Sequence, residues 1–346
     1  MDLRVMQLFL PSRADDRINE LLEGREILGR WRDTDADQIA VHLLLPAGET
    51  EPIMDRFEEQ FGDSPGFHVI LFPVYAVLPR PEQPDELEEA VSASDSDEIR
   101  FGKQRISREE LFAQVTEGLA TSRVFLGMTL LSAVVVAVGL LRNDVAVIIG
   151  AMVIAPLLAP NVALALATTL SDFQLLRRAL FTNAIGLAVA FVCSLVIGWS
   201  FPIDETIPAV ASRTRPQTVD ILLALAAGSA GTLAFTQGLS GAVIGVMVAV
   251  ALMPPLVVSG MLLGDGDYAS AGGALLLVLA NLICINLAGV ATFLVQGVRP
   301  RNWWEADRAK KAAWGALILW LALLVILGLI LWVGDVGSAP AAEAVN

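Results

Sequence analysis

The chain has 346 residues, of which 55% are hydrophobic and 17% are charged, and its formal net charge is −14. Soluble proteins carry roughly 25% charged residues, so this composition does not fit an ordinary soluble enzyme. The acidic balance excludes a nucleic-acid binder that relies on clustered positive charge. Two cysteines exclude a disulfide scaffold or a cysteine-based zinc site.

Charge is distributed unevenly along the chain. Residues 1–123 contain 13 Lys and Arg against 26 Asp and Glu, whereas residues 124–346 contain 10 against 11. The second part holds long stretches without a charged side chain, namely 124–141, 145–171, 179–203, 221–264, 268–298 and 312–334. A helix needs about 20 apolar residues to cross a bilayer. The sequence therefore predicts a polytopic helical membrane protein with an acidic soluble domain at its N-terminal end.

The soluble domain is predicted over residues 1–78. Apolar alternation indicates strands near 5–10, 26–32, 38–45 and 67–77, and amphipathic periodicity indicates helices near 12–22 and 49–61. The resulting order, βαββαβ, is typical of a ferredoxin-like α+β fold. We expect this domain to be cytosolic.

The turn before the first helix is a candidate anion site. Ser12 and Arg13 stand at the expected helix N-terminus, where backbone N–H groups favour an anion, and Arg17 follows one turn later. A nucleotide or another small anionic effector would fit these three residues. The alternative is an ordinary helix cap with solvated arginines.

An acidic, proline-containing linker is predicted over residues 79–105, because its composition cannot bury enough apolar surface to fold. A capping box at Ser107 to Glu110 then opens an amphipathic helix, predicted over residues 106–122. We expect this helix to lie at the membrane surface and to lead into the first span. Packing against the soluble domain is the alternative.

The membrane domain, residues 123–298, is predicted to hold two copies of a three-span unit. Spans are expected near 124–141, 144–168 and 178–200, and again near 220–237, 239–263 and 271–296. At an offset of 95 residues Gly150, Met152 and Pro160 coincide with Gly245, Met247 and Pro255. An odd number of spans inverts the second copy, and inverted repeats are a recurrent transporter architecture.

A basic loop over residues 299–312, a seventh span over 313–334 and a tail over 335–346 complete the predicted organisation. Loops on the side of the soluble domain carry Arg177, Arg178 and the basic residues of 299–312, and the opposite loops carry fewer. Positively charged loops favour the cytosolic side. We therefore expect a multi-pass protein of the cytoplasmic (inner) membrane, with a cytosolic N-terminus and an external C-terminus.

The prolines and asparagines inside the spans are the candidate transmembrane substrate-site residues. Proline removes a helix hydrogen bond, and breaks at matching places in two repeats would expose carbonyls and helix ends near mid-membrane. The prolines could instead be kinks that shape packing, and single asparagines also act as interhelical glue. The candidates are Pro156, Pro160, Asn161, Pro254, Pro255, Asn281 and Asn286.

No set of residues with the pattern of a catalytic, cofactor-binding or metal site is present, so we expect a protein that is not an enzyme. The sequence does not indicate a cofactor. No ionisable residue lies deep in a predicted span, which favours a neutral solute, or an anion at helix N-termini, over a proton-driven mechanism. The expected partners are the lipid bilayer, further copies of the chain and a small anionic or nucleotide effector, with no nucleic acid.

Three motifs carry a family resemblance. They are Gly139-Leu-Leu-Arg-Asn143, the segment from Val147 through Gly150, Met152 and Pro156 to Pro160, and the segment from Asp172 to Leu180. In these residues the chain resembles the domain of unknown function 389, a family of bacterial and archaeal hydrophobic membrane proteins. The resemblance covers residues 125–265 and implies an integral membrane protein, but no reaction or substrate.

Two functions stay open at this point. The first is a small-solute or ion transporter or channel with an effector-sensing cytosolic domain. The second is a membrane-anchored protein that binds a ligand, such as a nucleotide, and signals without transport. Both are expected to form homo-oligomers, because the spans are rich in Gly and Ala.

Overall fold

The computed structural model describes residues 3–11, 15–34, 38–77, 106–238 and 241–298, together with eight positions between 315 and 328. The chain divides into two compact units, Met1–Phe112 and Ala113–Asn346. The expected linker and basic loop lie outside the described residues. So does most of the seventh span, whose eight described positions are helical.

The first unit contains a four-stranded antiparallel sheet. Its elements are β1 (Leu3–Pro11), α1 (Asp15–Leu22), β2 (Gly29–Thr34), β3 (Gln38–Pro46), α2 (Ala47–Phe61) and β4 (His68–Val74). The strand order is β2-β3-β1-β4, and every neighbouring pair is antiparallel. This is the order of strands and helices that the sequence predicts.

The core of the first unit lies between one sheet face and the two helices. Alternate residues of β1 and β3 are buried, as expected for a sheet covered on one face. They pack against apolar residues of α1 and α2, including Ile18, Ile53 and Phe57, each of which is fully buried. Burying these side chains supplies the hydrophobic driving force for a unit of this size.

Helix α3 (Arg108–Gly118) begins where the sequence predicts a capping box. The Ser107 hydroxyl accepts a hydrogen bond from the Glu110 amide at 3.2 Å. The side chains of the first turn bind the first unit, because Arg4 pairs with Glu110 at 3.1 Å and Arg108 pairs with Asp55 at 3.1 Å. Neighbouring carboxylates raise the pKa of Arg108 even though burial of its side chain opposes the charge.

The second unit is a bundle of apolar helices. They are α4 (Arg123–Leu141), α5 (Val145–Ile154), α6 (Leu158–Leu170), α7 (Phe173–Ser200), the short α8 (Pro208–Ala211), α9 (Thr218–Thr236), α10 (Gly241–Asp265) and α11 (Tyr268–Val295). Among the described residues, four helices (α4, α7, α9 and α11) are long and apolar enough to cross a membrane. The bent pair α5–α6 makes a fifth if it counts as one span.

The helix boundaries repeat along the chain. Helices α4 and α9, and helices α7 and α11, begin and end at positions separated by 95 residues, and α6 and α10 end at the same separation. The caps repeat as well. Asp172 accepts two backbone N–H bonds at the start of α7, and Asp267 does the same at the start of α11.

Candidate functional site

The second predicted span is interrupted between α5 and α6. Ala155 precedes a proline and adopts an extended conformation, with ψ at 118°, because the proline ring disfavours the helical region for the residue before it. Helix α5 therefore ends at Ile154, and α6 begins after Pro156 and Leu157 at an angle of 58° to it. Pro160 falls in the first turn of α6, where its missing N–H removes no helix bond.

The break is buried in the bundle, so the polar groups at the ends of both half-helices need partners. The Ala151 carbonyl, in the last turn of α5, accepts a hydrogen bond from the Ser132 hydroxyl at 2.7 Å. The Leu157 carbonyl, just before α6, accepts one from the side-chain amide of Asn161 at 2.8 Å. Side chains thus stabilise an opening in the helix that the prolines create.

Three asparagines from three helices meet beside this break. Asn161 lies on α6, Asn183 on α7 and Asn286 on α11, and each is less than 5% exposed. Asn161 Oδ1 accepts a hydrogen bond from Asn183 Nδ2 at 3.0 Å and a longer one from Asn286 Nδ2 at 3.5 Å. Asn286 Nδ2 also donates to the Leu282 carbonyl at 2.8 Å. We call Asn161, Asn183 and Asn286 the asparagine cluster.

The asparagine cluster leaves two buried acceptors without a partner. Asn183 Oδ1 and Asn286 Oδ1 are inaccessible to solvent and have no hydrogen-bond partner among the described residues. A buried carbonyl oxygen without a donor costs about 1–3 kcal/mol. Both oxygens belong to amides that donate to the same atom, Asn161 Oδ1, so the two acceptors share one neighbourhood. The arrangement can accept hydrogen bonds from a small bound molecule.

The second repeat differs from what the sequence predicts. A break at Pro254 and Pro255 was expected to match the one at Pro156 and Pro160, and this prediction is wrong, because α10 runs unbroken from Gly241 to Asp265. Pro255 cannot donate to the carbonyl four residues earlier, that of Ala251. Asn281 Nδ2 donates to this carbonyl instead, at 2.6 Å. The side chain replaces the missing bond, and the helix continues.

The structure therefore divides the predicted transmembrane candidates into two groups. Pro156, Pro160, Asn161 and Asn286 lie at or beside the break, whereas Pro254, Pro255 and Asn281 belong to the bonding of α10 and α11. Asn183 was missing from the predicted site. The sequence does contain a signal for Asn183, because an asparagine in an apolar span is costly unless it is hydrogen-bonded.

The predicted anion site of the soluble unit receives no structural support. Ser12 and Arg13 lie outside the described residues. Arg17 lies on α1 and is exposed to solvent. No group of three or more His, Cys, Asp or Glu side chains arranged to hold a metal occurs in the described part of the chain.

A carboxylate pair lies outside the spans, near the start of α11. Asp267 caps α11, and Glu205, in the connection after α7, accepts a hydrogen bond from the Ser270 hydroxyl at 3.1 Å. A hydrogen bond between the two carboxyl groups raises the pKa of Glu205, and repulsion from Asp267 and Asp265 adds to the rise. The bonds from Ser270 and Glu205 lower the pKa of Asp267.

The apolar helices and the broken pair among them define a multi-pass membrane protein. Comparison with known sequences agrees: residues 152–287 match the domain of unknown function DUF389. The chain is also 31% identical to an uncharacterised protein of Methanocaldococcus jannaschii over 327 residues, which are 94% of this chain and 98% of that protein. The chain belongs to the DUF389 family. No solved structure matches it.

Proposed function

We propose that the protein carries a small solute or an ion across the cytoplasmic membrane, through two inverted three-helix repeats that follow a cytosolic, ferredoxin-like sensing domain. The observation that carries the proposal is the asparagine cluster beside the α5–α6 break. A polar cluster with open hydrogen-bonding capacity is costly in an apolar bundle, and such residues within membrane spans usually mark a substrate or ion path.

Reciprocal helix contacts support a twofold relation between the repeats. A Cβ atom built on Gly260 of α10 would lie 2.7 Å from Ser194 of α7, and one on Gly289 of α11 would lie 2.8 Å from Ala165 of α6. Gly289 follows Ser194 by 95 residues, and Gly260 follows Ala165 by the same number. Exchanging the two repeats therefore turns each contact into the other, as expected when a twofold axis relates them.

The helix directions support inversion. Gly260 of α10 packs beside Phe191 and Ser194 of α7, and Gly264 packs beside Leu195 further along, so α7 and α10 run in parallel. Helix α6 turns into α7 through Ser171, whose left-handed backbone (φ 59°, ψ 32°) reverses the chain. Helix α10 is therefore antiparallel to α6, its equivalent in the first repeat, as inversion requires.

The polar cluster takes Asn161 and Asn183 from the first repeat and Asn286 from the second, and none of the three has an asparagine at the equivalent position. The positions that lie 95 residues away from Asn161, Asn183 and Asn286 are Leu256, Val278 and Phe191. Because these counterparts are apolar, the duplication alone does not account for the three asparagines. A single asymmetric polar site to which both repeats contribute side chains suits a protein that binds its substrate between the repeats.

The soluble unit and the loop charges support the rest of the proposal. The strand order β2-β3-β1-β4, with helices after β1 and β3, is that of a ferredoxin-like sheet. Arg177 and Arg178 begin α7 on the side that we assign to the cytosol. Helices α7 and α10 cross closely at small residues such as Gly264. We propose that similar close crossings between copies of the chain form a homo-oligomer.

Flux through liposomes containing the purified protein tests the proposal. The panel is urea, glycerol, Na⁺, Cl⁻ and phosphate, and we expect at least one member to exceed the protein-free background. Asn161→Leu keeps the branched shape and the number of heavy atoms and removes the acceptor shared by the cluster, so that flux should fall about tenfold, the equivalent of one hydrogen bond. The matched control is Thr169→Val on the same helix, because within the described part of the chain the Thr169 hydroxyl bonds only the Ala165 carbonyl. Background flux for the whole panel, or equal flux in both variants, would overturn the proposal.

A further inference from the structure

The unpartnered atoms of the asparagine cluster are all acceptors. Asn183 and Asn286 both donate through Nδ2 to Asn161, and Asn286 has a second bond to its own helix, so its amide hydrogens are engaged. Asn183 Oδ1 and Asn286 Oδ1 remain open, and both residues are more than nine-tenths buried. Asn161 Nδ2 and Asn183 Nδ2 make one recorded bond each and so keep one N–H apiece. A molecule that satisfies the two open oxygens must donate hydrogen bonds or carry positive charge.

The surroundings of the cluster disfavour a charged ligand. The runs 145–171, 179–203 and 268–298, which contain the three asparagines, have no Asp, Glu, Lys or Arg. An ion placed there would have no countercharge, and moving an unpaired charge from water into an apolar interior costs far more than moving a neutral hydrogen-bonding group. Two open oxygens also supply fewer ligands than a dehydrated metal cation needs. An anion would be repelled by the two open acceptor oxygens, which carry partial negative charge.

We infer that the asparagine cluster binds a small neutral solute, whose N–H or O–H groups donate to Asn183 Oδ1 and Asn286 Oδ1. This inference rests on the proposed transport function and narrows its substrate class. It also gives Asn183 a role in binding. The solute replaces hydrogen bonds that it loses from water, so its entry is less unfavourable here than at an apolar position of the bundle.

Stopped-flow permeability to urea and glycerol, measured beside tracer fluxes of Na⁺ and Cl⁻ in the same vesicles, tests the inference. Urea or glycerol permeability should exceed background, fall about tenfold in Asn286→Leu and in Asn183→Leu, and stay unchanged in Thr169→Val. Neutral permeability at background together with a cluster-dependent ion flux would overturn the inference and leave the transport proposal standing. Background values for all four probes would overturn the inference, and a background value for phosphate as well would overturn both.

A charge-introducing variant tests the electrostatic step separately. Asn286→Asp keeps the side-chain oxygen, replaces the amide nitrogen by a second oxygen and supplies the countercharge that the wild type lacks. We expect Na⁺ flux to rise at least tenfold over the wild type and neutral permeability to fall. Unchanged selectivity in a variant that elutes as wild type in size-exclusion chromatography would overturn the inference, because it would mean that the oxygens do not contact the permeating species.

Discussion

Asn281 provides a sensitive test of how α10 remains continuous across two prolines. The Ala251 carbonyl loses its helix donor at Pro255 and is bonded by Asn281 Nδ2 at 2.6 Å. Asn281 is 5% exposed, so water cannot replace the side chain. Asn281→Leu removes the donor while keeping the branched shape of the side chain, and it leaves a buried carbonyl unsatisfied.

The magnitude follows from two opposing effects. An unsatisfied buried carbonyl costs about 1–3 kcal/mol, but interhelical hydrogen bonds in membrane proteins average about 0.6 kcal/mol. Leucine also removes Asn281 Oδ1, which has no partner among the described residues. We therefore expect the free energy of unfolding to fall by about 1 kcal/mol. In a Pro255→Ala background the restored amide donates to Ala251, and the same substitution should cost almost nothing.

Equilibrium unfolding by SDS in mixed micelles, followed by tryptophan fluorescence, measures all four proteins of this cycle. The predicted coupling energy between positions 255 and 281 is about 1 kcal/mol. A cost for Asn281→Leu that is equal in both backgrounds would refute the reasoning, because Asn281 would then be stabilising something other than the carbonyl that Pro255 leaves.

Three further predictions concern other parts of the second unit. Gly198→Val should abolish the folded protein in size-exclusion chromatography, because a Cβ there would fall on the backbone of α10, whereas Gly150→Ala, with open space around it, should behave as wild type. Asp172→Ala removes the cap of α7 and should cost about 1 kcal/mol in SDS unfolding, with Asp172→Asn largely restoring it. Folding raises the pKa of Glu205 above its ordinary value of 4.5. The protonated carboxyl therefore stabilises the folded state fully below pH 4.5, and this stabilisation is lost as the pH rises through the pKa of the folded state. Glu205→Gln should therefore become relatively more heat-stable than wild type on going from pH 4 to 7, and a constant difference in melting temperature would contradict this.

Much of the helical architecture follows from the sequence, because charge-free runs and capping residues mark where helices begin and end. The second repeat shows this directly: the predicted span near 271–296 is α11, which begins after its cap at Asp267. The paired match of Pro160 with Pro255 also signals the duplication from sequence. Local rules of charge and capping are sufficient for these features, since each depends on residues close together in the chain.

The polar contacts could not be predicted in the same way, since they join residues far apart. Pro255 looked like a helix break because its rescue comes from Asn281 on another helix. Asn183 looked like one of several isolated amides until α6 and α7 brought it to Asn161. Whether a proline breaks a helix in a membrane depends on a donor supplied by a neighbouring helix, and only tertiary structure shows that donor.

A cryo-EM map of the protein in lipid, in the presence of saturating urea or glycerol, is the most direct test of the asparagine cluster as a binding site. We predict density within hydrogen-bond distance, about 2.7–3.2 Å, of both Asn183 Oδ1 and Asn286 Oδ1, and its loss in Asn286→Leu. A map in which the two oxygens bond to protein groups, with no density between them in either protein, would contradict the assignment of this cluster as a solute site.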